Sequence, residues 1–140
     1  MDNPNDHAPR GCVGIFIHNG QGCILVGDRL QKTVVEGVPE VAIPGGKIDF
    51  MEKAVDAAVR ESREETGLEI EIERMVGYSD DIWRHLGAHC LTLFFQARVI
   101  GGTLTVTEPD KFARLRWERP EDIKVLFADA HLLFPNLRLP

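Results

Sequence analysis

Apolar and polar positions along the first fifty residues predict short β-strands separated by turns. Residues 11–17 and 23–26 are rich in β-branched and apolar side chains and flank the turn-forming sequence HNGQG, which predicts a β-hairpin. Residues 31–39 show no periodicity, so we expect a loop there. A further short strand over 41–43 must end at the proline and two glycines of 44–46.

The pattern becomes helical over residues 52–66. Alanine, glutamate, arginine and valine dominate this segment without proline or glycine, and Gly67 supplies a C-terminal stop. Apolar and small residues recur at spacings of three and four and predict the buried side of the helix: Val55, Ala58, Val59 and Ser62. Because these side chains are small, we expect the helix to pack close to a sheet.

The second half of the chain returns to strand patterns. Leucine and isoleucine alternate with glutamate over 68–73, and the other predicted strands are 75–78, 90–100, 103–107 and 114–118. A final helix is predicted from Pro120, with apolar residues at helical spacing: Ile123, Leu126, Phe127, Ala130 and Phe134. Strands on both sides of a central helix predict an α/β layered sandwich with a mixed sheet.

Length and composition restrict the class of protein. A chain of 140 residues, 44% of them apolar, predicts one domain, which we place at 10–140 behind a flexible lead over 1–9. No apolar stretch approaches the roughly 20 residues of a membrane span, and residues 1–10 lack the apolar core of a signal peptide. Three cysteines without a C-x-x-C pair favour reduced thiols and a cytoplasmic location.

The negative charge is concentrated in one segment. Residues 49–73 contain nine acidic and three basic residues, which accounts for the whole net charge of -6. No basic stripe is present outside this segment, so we expect neither a nucleic-acid polymer nor a membrane as partner. A local carboxylate cluster indicates either a solvated helix face or a divalent-cation site.

Within the predicted helix, three carboxylates fall on one patch. Glu61 and Glu65 are one turn apart and Glu64 lies between them, while Arg60 is placed to pair with Glu64 at i+4. Such oxygen ligands suit Mg²⁺ or Mn²⁺, which complete their coordination with substrate phosphates. Upstream, Gly45 and its neighbour allow close backbone approach, and a glycine carbonyl could add another ligand oxygen.

These residues resemble a known family motif. Gly46, five residues, Glu52, seven residues, Arg60-Glu61, two residues, Glu64-Glu65, one residue and Gly67-Leu68 together resemble the Nudix box of the Nudix hydrolases, over 23 residues without a gap. Ser62 departs from the pattern, since the family usually places an aliphatic residue there, and every charged position is intact.

The resemblance implies the Nudix fold, an α/β/α sandwich, and hydrolysis of a nucleoside diphosphate linked to a further group. It implies attack of a metal-activated water on a phosphorus atom, with Mg²⁺ as cofactor. By position it implies four metal ligands, namely the Gly45 carbonyl, Glu61, Glu64 and Glu65. Arg60 would hold the first glutamate, Glu52 would support the site from behind, and Glu61 is our candidate for the general base. Homodimers are common in that family, which leaves a homodimer open.

Weaker similarities extend outside the motif. The segments LVGDR at 25–29 and EPDK at 108–111 resemble the MutT-like branch, which hydrolyses nucleoside triphosphates, and add Arg29 as a substrate contact and Glu108 as a metal ligand or base. Lys47 could reach a phosphate or be an ordinary surface lysine, and Trp117 could stack on a base or pack in the core.

The sequence leaves three hypotheses about the activity open. We expect conversion of a nucleoside triphosphate, including an oxidised one, to the monophosphate and pyrophosphate. The alternatives are an ADP-ribose or nucleotide-sugar pyrophosphatase and a Nudix-fold domain that binds nucleotides without turnover.

The two aspartates at 80–81 are expected to lie in a solvated loop.

Overall fold

The computed structural model of the protein describes residues 8–30 and 40–140. Most of the predicted lead at 1–9 and the whole predicted loop at 31–39 therefore lie outside the described residues. The strands are β1 (Arg10–His18), β2 (Ile24–Arg29), β3 (Val41–Ala42), β4 (Gly45–Lys47), β5 (Leu68–Trp83), β6 (Ala88–Gly102) and β7 (Phe112–Glu118). Helix α1 spans Ala54–Thr66, and 3-10 segments span Arg84–Leu86, Pro120–Asp122 and Phe127–Asn136.

The strands form one mixed sheet with the order β3-β2-β1-β6-β5, to which β4 is added beside β1 and β7 beside β2. Strand β1 runs parallel to β6, while the other pairings are antiparallel. The predicted hairpin is confirmed at the pair His18 and Ile24. Further along this edge of β1, residues 12–14 pair instead with β4, whose Gly46 lies close to Glu61 of α1. The predicted α/β fold with a mixed sheet is confirmed.

Helix α1 begins two residues later than predicted and ends where predicted. Gly67 adopts a left-handed conformation with φ 76° and donates its N–H to the Arg63 carbonyl. The buried residues are Ala57, Ala58, Ser62, Glu65 and Thr66, whereas Val55 is 41% exposed. The prediction of Val55 as buried is wrong, because the helix turns Ala54, Ala57 and Ala58 toward the apolar cluster and Val55 toward solvent.

Two apolar clusters cover the two faces of the sheet. On the face toward α1, Val13, Ile15 and Phe95 pack with Ala57 and Ala58 of the helix. On the opposite face, the largest residues are Phe16, Phe94 and Leu126, and Ala130 joins them. The alternation along β1 thus sends successive side chains to the two clusters. The pocket described below opens on the second face.

Two strand predictions differ from the structure. Residues 68–83 form one strand rather than two, because bulges allow β5 to keep its pairing with β6 throughout. Residues 103–107 are not a strand: the Thr105 N–H donates to the Thr66 carbonyl, and the Thr107 hydroxyl donates to the Glu64 carbonyl. The chain here follows the end of α1 instead of returning along β6.

The predicted C-terminal α-helix is replaced by 3-10 segments. Ala128 and Asp129 have positive φ values of 61° and 54°, which no α-helix accommodates, and Pro135 lies inside the second segment. The apolar stripe nevertheless packs inward, since Leu126 and Ala130 are buried. This segment therefore provides the second outer layer in a different helical form.

Candidate active site

Arg60, in the middle of α1, is the centre of an ion-pair network. Its Nε donates to Glu52 Oε2 at 2.8 Å and its Nη2 donates to Glu52 Oε1 at 2.9 Å, a bidentate arrangement. Its Nη1 donates to Glu61 Oε1 at 2.9 Å and to Glu64 Oε2 at 3.1 Å. Nη2 also donates to the Lys47 carbonyl at 2.9 Å, which ties the helix to β4.

This network perturbs the acids unequally. Hydrogen bonding from Arg60 lowers the pKa of Glu52 to about 2, and the same bonds raise the pKa of Arg60. Burial raises the pKa of Glu61, although Arg60 opposes this effect. Glu52 is thus a fixed anion that holds Arg60, and Glu61 is a partly buried acid that Arg60 orients. The structure thus places Glu52 against Arg60, and its supporting role in catalysis stays a prediction.

Glu65 occupies a different environment on the buried side of the helix. Its side chain is 1% exposed, its Oε2 accepts the Gly45 N–H at 3.0 Å, and Lys111 donates to its Oε1. Burial raises the pKa of Glu65 to about 7, despite the opposing effect of Lys111. Lys111, from a segment 46 residues away, therefore neutralises a carboxylate at the base of the site.

The two glycines of β4 are required by close contacts. A Cβ on Gly46 would come within 2.5 Å of both carboxylate oxygens of Glu61, and one on Gly45 would overlap the Val13 carbonyl. Strand β4 can therefore lie against β1 on one side and against the glutamates of α1 on the other only without side chains at these two positions.

The donor set has the chemistry of a hard-cation site. Glu61, Glu64 and Glu65 offer carboxylate oxygens, and two cations of the chain, Arg60 and Lys111, already neutralise them. Across residues 8–30 and 40–140 no three acidic, histidine or cysteine side chains converge as a closed metal group. The residue types fit Mg²⁺ or Mn²⁺, and Lys111 is ion-paired with one of the three carboxylates, Glu65.

A pocket with a volume of about 260 Å³ adjoins this network. Its wall is shared with the network at Gly45, Gly46, Lys47 and Lys111. Its other lining residues are Cys12, Val13, Gly14, Arg29, Ala42, Ile43, Pro44, Asp81, Trp83, Cys90, Thr92, Phe94, Phe112, Phe127 and Ala128. A ligand in the pocket can thus place a charged group directly beside the glutamates of α1.

Asp81 is the buried acid of the pocket. It is 8% exposed, and its Oδ2 accepts hydroxyl hydrogen bonds from Ser79 at 2.9 Å and from Thr92 at 2.8 Å. Burial raises the pKa of Asp81, while the two hydroxyls oppose this effect. The expectation of a solvated loop at 80–81 is wrong for Asp81, because β5 continues through Trp83 and turns this residue inward.

An aromatic pair and a guanidinium form another part of the pocket wall. The rings of Trp83 and Phe127 stack with centroids 5.2 Å apart and an interplanar angle of 22°. The guanidinium carbon of Arg29 lies 4.7 Å from the centroid of Phe127. Cys12 also lines the pocket, and burial raises the pKa of its thiol to about 12, with Cys90 contributing. All three cysteines are free thiols.

The structure brings most of the predicted site residues together. Arg29 and Lys47 both line the pocket. Trp117 does not: it packs partly buried against the apolar cluster beneath α1, because its position in β7 opposite Leu25 turns it to that face. Glu108 lies in the segment that Thr107 and Lys111 fasten to α1, and its carbonyl accepts the N–H groups of residues 111 and 112.

Sequence reasoning missed Asp81, Thr92 and Phe127 as pocket residues and left Lys111 without a role. Ser79 lies opposite Thr92 and Asp81 lies opposite Cys90, so the grouping of these side chains becomes visible only once the β5–β6 register is known.

Comparisons with known proteins identify the family of the chain. The NUDIX domain model matches residues 8–136. The chain belongs to the Nudix family. An RNA pyrophosphohydrolase of Novosphingobium aromaticivorans is 30% identical over 131 residues, covering 81% of this chain and 80% of that protein. An RNA pyrophosphohydrolase of Cereibacter sphaeroides is 40% identical over 72 residues, 51% of this chain, and the alignment spans only 42% of that relative.

Solved Nudix structures share the fold. A MutT Nudix hydrolase from Burkholderia pseudomallei superposes with a TM-score of 0.78 at 30% identity, covering 94% of this chain and 99% of the other. A MutT protein from Methanosarcina mazei Go1 has a TM-score of 0.72 at 21% identity, with 91% of each chain covered, and supports the fold alone. The protein is therefore a Nudix hydrolase. Among its described residues, no helix has the length and apolar character to cross a membrane.

Proposed function

We propose that this Nudix hydrolase is a Mg²⁺-dependent pyrophosphohydrolase that converts a nucleoside triphosphate and water to the monophosphate and pyrophosphate. One observation supports this most directly: the pocket that could hold a nucleoside shares Gly45, Gly46, Lys47 and Lys111 with the glutamate network of α1. The base and the phosphates of one nucleotide then occupy adjoining sites. Mn²⁺ would serve the same ligands.

In this proposal, the chain's own residues position the reactants. Glu61, Glu64, Glu65 and the Gly45 carbonyl would hold the cation, and Glu108 is a further candidate ligand. Bound divalent cations supply a coordinated water of lowered pKa and neutralise charge on the phosphate oxygens. Because Arg60 engages Glu61 Oε1, the other oxygen, Oε2, is the one we assign to accept a proton from the attacking water.

The cationic side chains have separate roles. Glu52 fixes Arg60 through two hydrogen bonds, so Arg60 orients Glu61 and Glu64 rather than contacting substrate. Lys47 and Lys111 line the pocket beside the network and are placed to contact phosphate oxygens. Arg29 lies deeper in the wall, over Phe127, where it is placed to contact the nucleoside.

The test measures pyrophosphate and phosphate release from ordinary and oxidised dNTPs, NTPs, ADP-ribose and nucleotide sugars. Glu64→Gln should abolish turnover, whereas Glu71→Gln, which removes an exposed carboxylate paired with Arg98 outside the site, should retain it. Release of pyrophosphate from triphosphates supports the proposal. Turnover confined to ADP-ribose or a nucleotide sugar contradicts it and favours the second substrate class, and binding without turnover contradicts both.

A second candidate substrate comes from the relatives named RNA pyrophosphohydrolase. The same network could act on the 5′-triphosphate of an RNA, although the sequence shows no basic stripe for a nucleic-acid backbone. The assay therefore includes a short 5′-triphosphorylated RNA. If the enzyme prefers this RNA to every free triphosphate, the RNA replaces the free nucleotide as the proposed substrate. That result would also contradict our expectation that no nucleic-acid polymer binds.

A further inference from the structure

The pocket contains a carboxylate whose arrangement is that of a recognition group. Asp81 is more than nine-tenths buried, and the hydroxyls of Ser79 and Thr92 both donate to the same oxygen, Oδ2. Its other oxygen, Oδ1, accepts no hydrogen bond from any residue in the described part of the chain. Oδ1 is not one of the polar atoms of that part that are both buried and without a hydrogen-bond partner. It therefore remains accessible from the pocket.

A purely structural role does not account for this arrangement. Ser79 and Thr92 face each other across the β5–β6 pairing, so Oδ2 alone is sufficient to join the two strands. In a largely apolar pocket, an accessible carboxylate oxygen that no protein donor occupies is available to a ligand that supplies N–H donors. Asp80, the neighbouring acid, is exposed, which shows that the strand places only one of the two carboxylates in the pocket.

The surroundings of Asp81 define the shape of the ligand. Trp83, two residues along the same strand, stacks on Phe127 and provides a flat aromatic wall. The cavity volume of about 260 Å³ lies below the roughly 300–1,000 Å³ of sites for drug-sized ligands. The space therefore fits one planar heterocycle, and the wall at Gly45 and Gly46 connects it to the phosphate site.

Hydrogen-bond chemistry then selects among nucleobases. A carboxylate only accepts hydrogen bonds, so it prefers an edge with adjacent N–H donors. Guanine presents its N1–H and 2-amino group side by side. The amino groups of adenine and cytosine lie beside a ring nitrogen lone pair, and the N3–H of uracil lies between two carbonyls, so each of these edges repels a carboxylate.

We infer that Asp81 determines base specificity by accepting the N1–H and 2-amino group of a guanine base held in this pocket. This inference rests on the proposed function and names its substrate class as guanine nucleotides. The oxidised base 8-oxoguanine has the same N1–H and 2-amino edge, so Asp81 accepts it equally.

The test compares GTP with inosine triphosphate, which lacks only the 2-amino group, in the wild type and in Asp81→Asn. The wild type should prefer GTP by about 10-fold or more in kcat/KM, and Asp81→Asn should reduce this ratio to about one. The matched control Asp80→Asn removes the same charge from an exposed position and should keep the wild-type ratio. Equal loss on GTP, ATP, CTP and UTP in Asp81→Asn would overturn the inference.

A second measurement is independent of turnover and of any variant. Calorimetry with EDTA present compares binding of GMP, IMP and AMP to the wild type, and GMP should bind about 10-fold more tightly than IMP. Equal affinities overturn the role of Asp81 even if Asp81→Asn fails to fold. If no triphosphate is hydrolysed but GMP is preferred, the proposed function fails and the base assignment stands.

Discussion

The buried carboxylate of Glu65 makes a specific prediction about stability in the metal-free protein. Burial raises the pKa of Glu65 from 4.5 to about 7. Between these values the folded state binds a proton that the unfolded state releases, so the free energy of unfolding falls as pH rises from 4.5 through 7 and levels off above. At about 1.36 kcal/mol for each pH unit, the full effect approaches about 3 kcal/mol.

Glu65→Gln removes this dependence while preserving the shape of the side chain. The amide oxygen can still accept the Gly45 N–H, and Lys111, whose side chain is 41% exposed, can turn to solvent. Between pH 5 and pH 8 the wild type should therefore lose about 2.5 kcal/mol relative to Glu65→Gln. At pH 8 the variant should therefore be the more stable of the two proteins.

Urea unfolding followed by tryptophan fluorescence at pH 5, 6, 7 and 8, with EDTA present, measures the difference. Glu71→Gln removes one exposed carboxylate and corrects for the change in net charge. Saturating Mg²⁺ should reverse the order at pH 8, because the cation stabilises the ionised wild-type site and loses a ligand in the variant. A difference in free energy of unfolding between wild type and Glu65→Gln that stays constant from pH 5 to pH 8 would refute the argument.

Three further substitutions test the packing around the site. Gly46→Ala should lower kcat/KM at least 10-fold, because a Cβ displaces the Glu61 carboxylate, while Gly101→Ala, whose nearest new contact is 3.8 Å away, should not. Met51 has φ 66° and is 89% exposed, so Met51→Gly should stabilise the fold by about 0.5–1 kcal/mol in urea. The Ser62 hydroxyl is buried without a hydrogen-bond partner among the described residues, so Ser62→Ala should raise the free energy of unfolding by about 1 kcal/mol in the same assay, and a decrease would contradict this argument.

The parts of the site that the sequence predicts are those fixed by local geometry. The pairing of Arg60 with Glu64 follows from the helical i, i+4 relation, and the end of α1 follows from the freedom of Gly67 to adopt positive φ. Asp81 could not be assigned in the same way. Bulges in β5 change which face successive residues take, so the alternation of the sequence does not determine that Asp81 turns inward.

The three glutamates of α1 show where local reasoning ends. In sequence they form one patch with equivalent chemistry, yet their side chains are 13%, 50% and 1% exposed at Glu61, Glu64 and Glu65. A helix turns about 100° for each residue, so once β4 lies against one side, neighbouring carboxylates face solvent, Arg60 or the protein interior. Lys111 then reaches only the innermost carboxylate. Three identical side chains thus acquire different exposure and different ion-pair partners from the position of a three-residue strand.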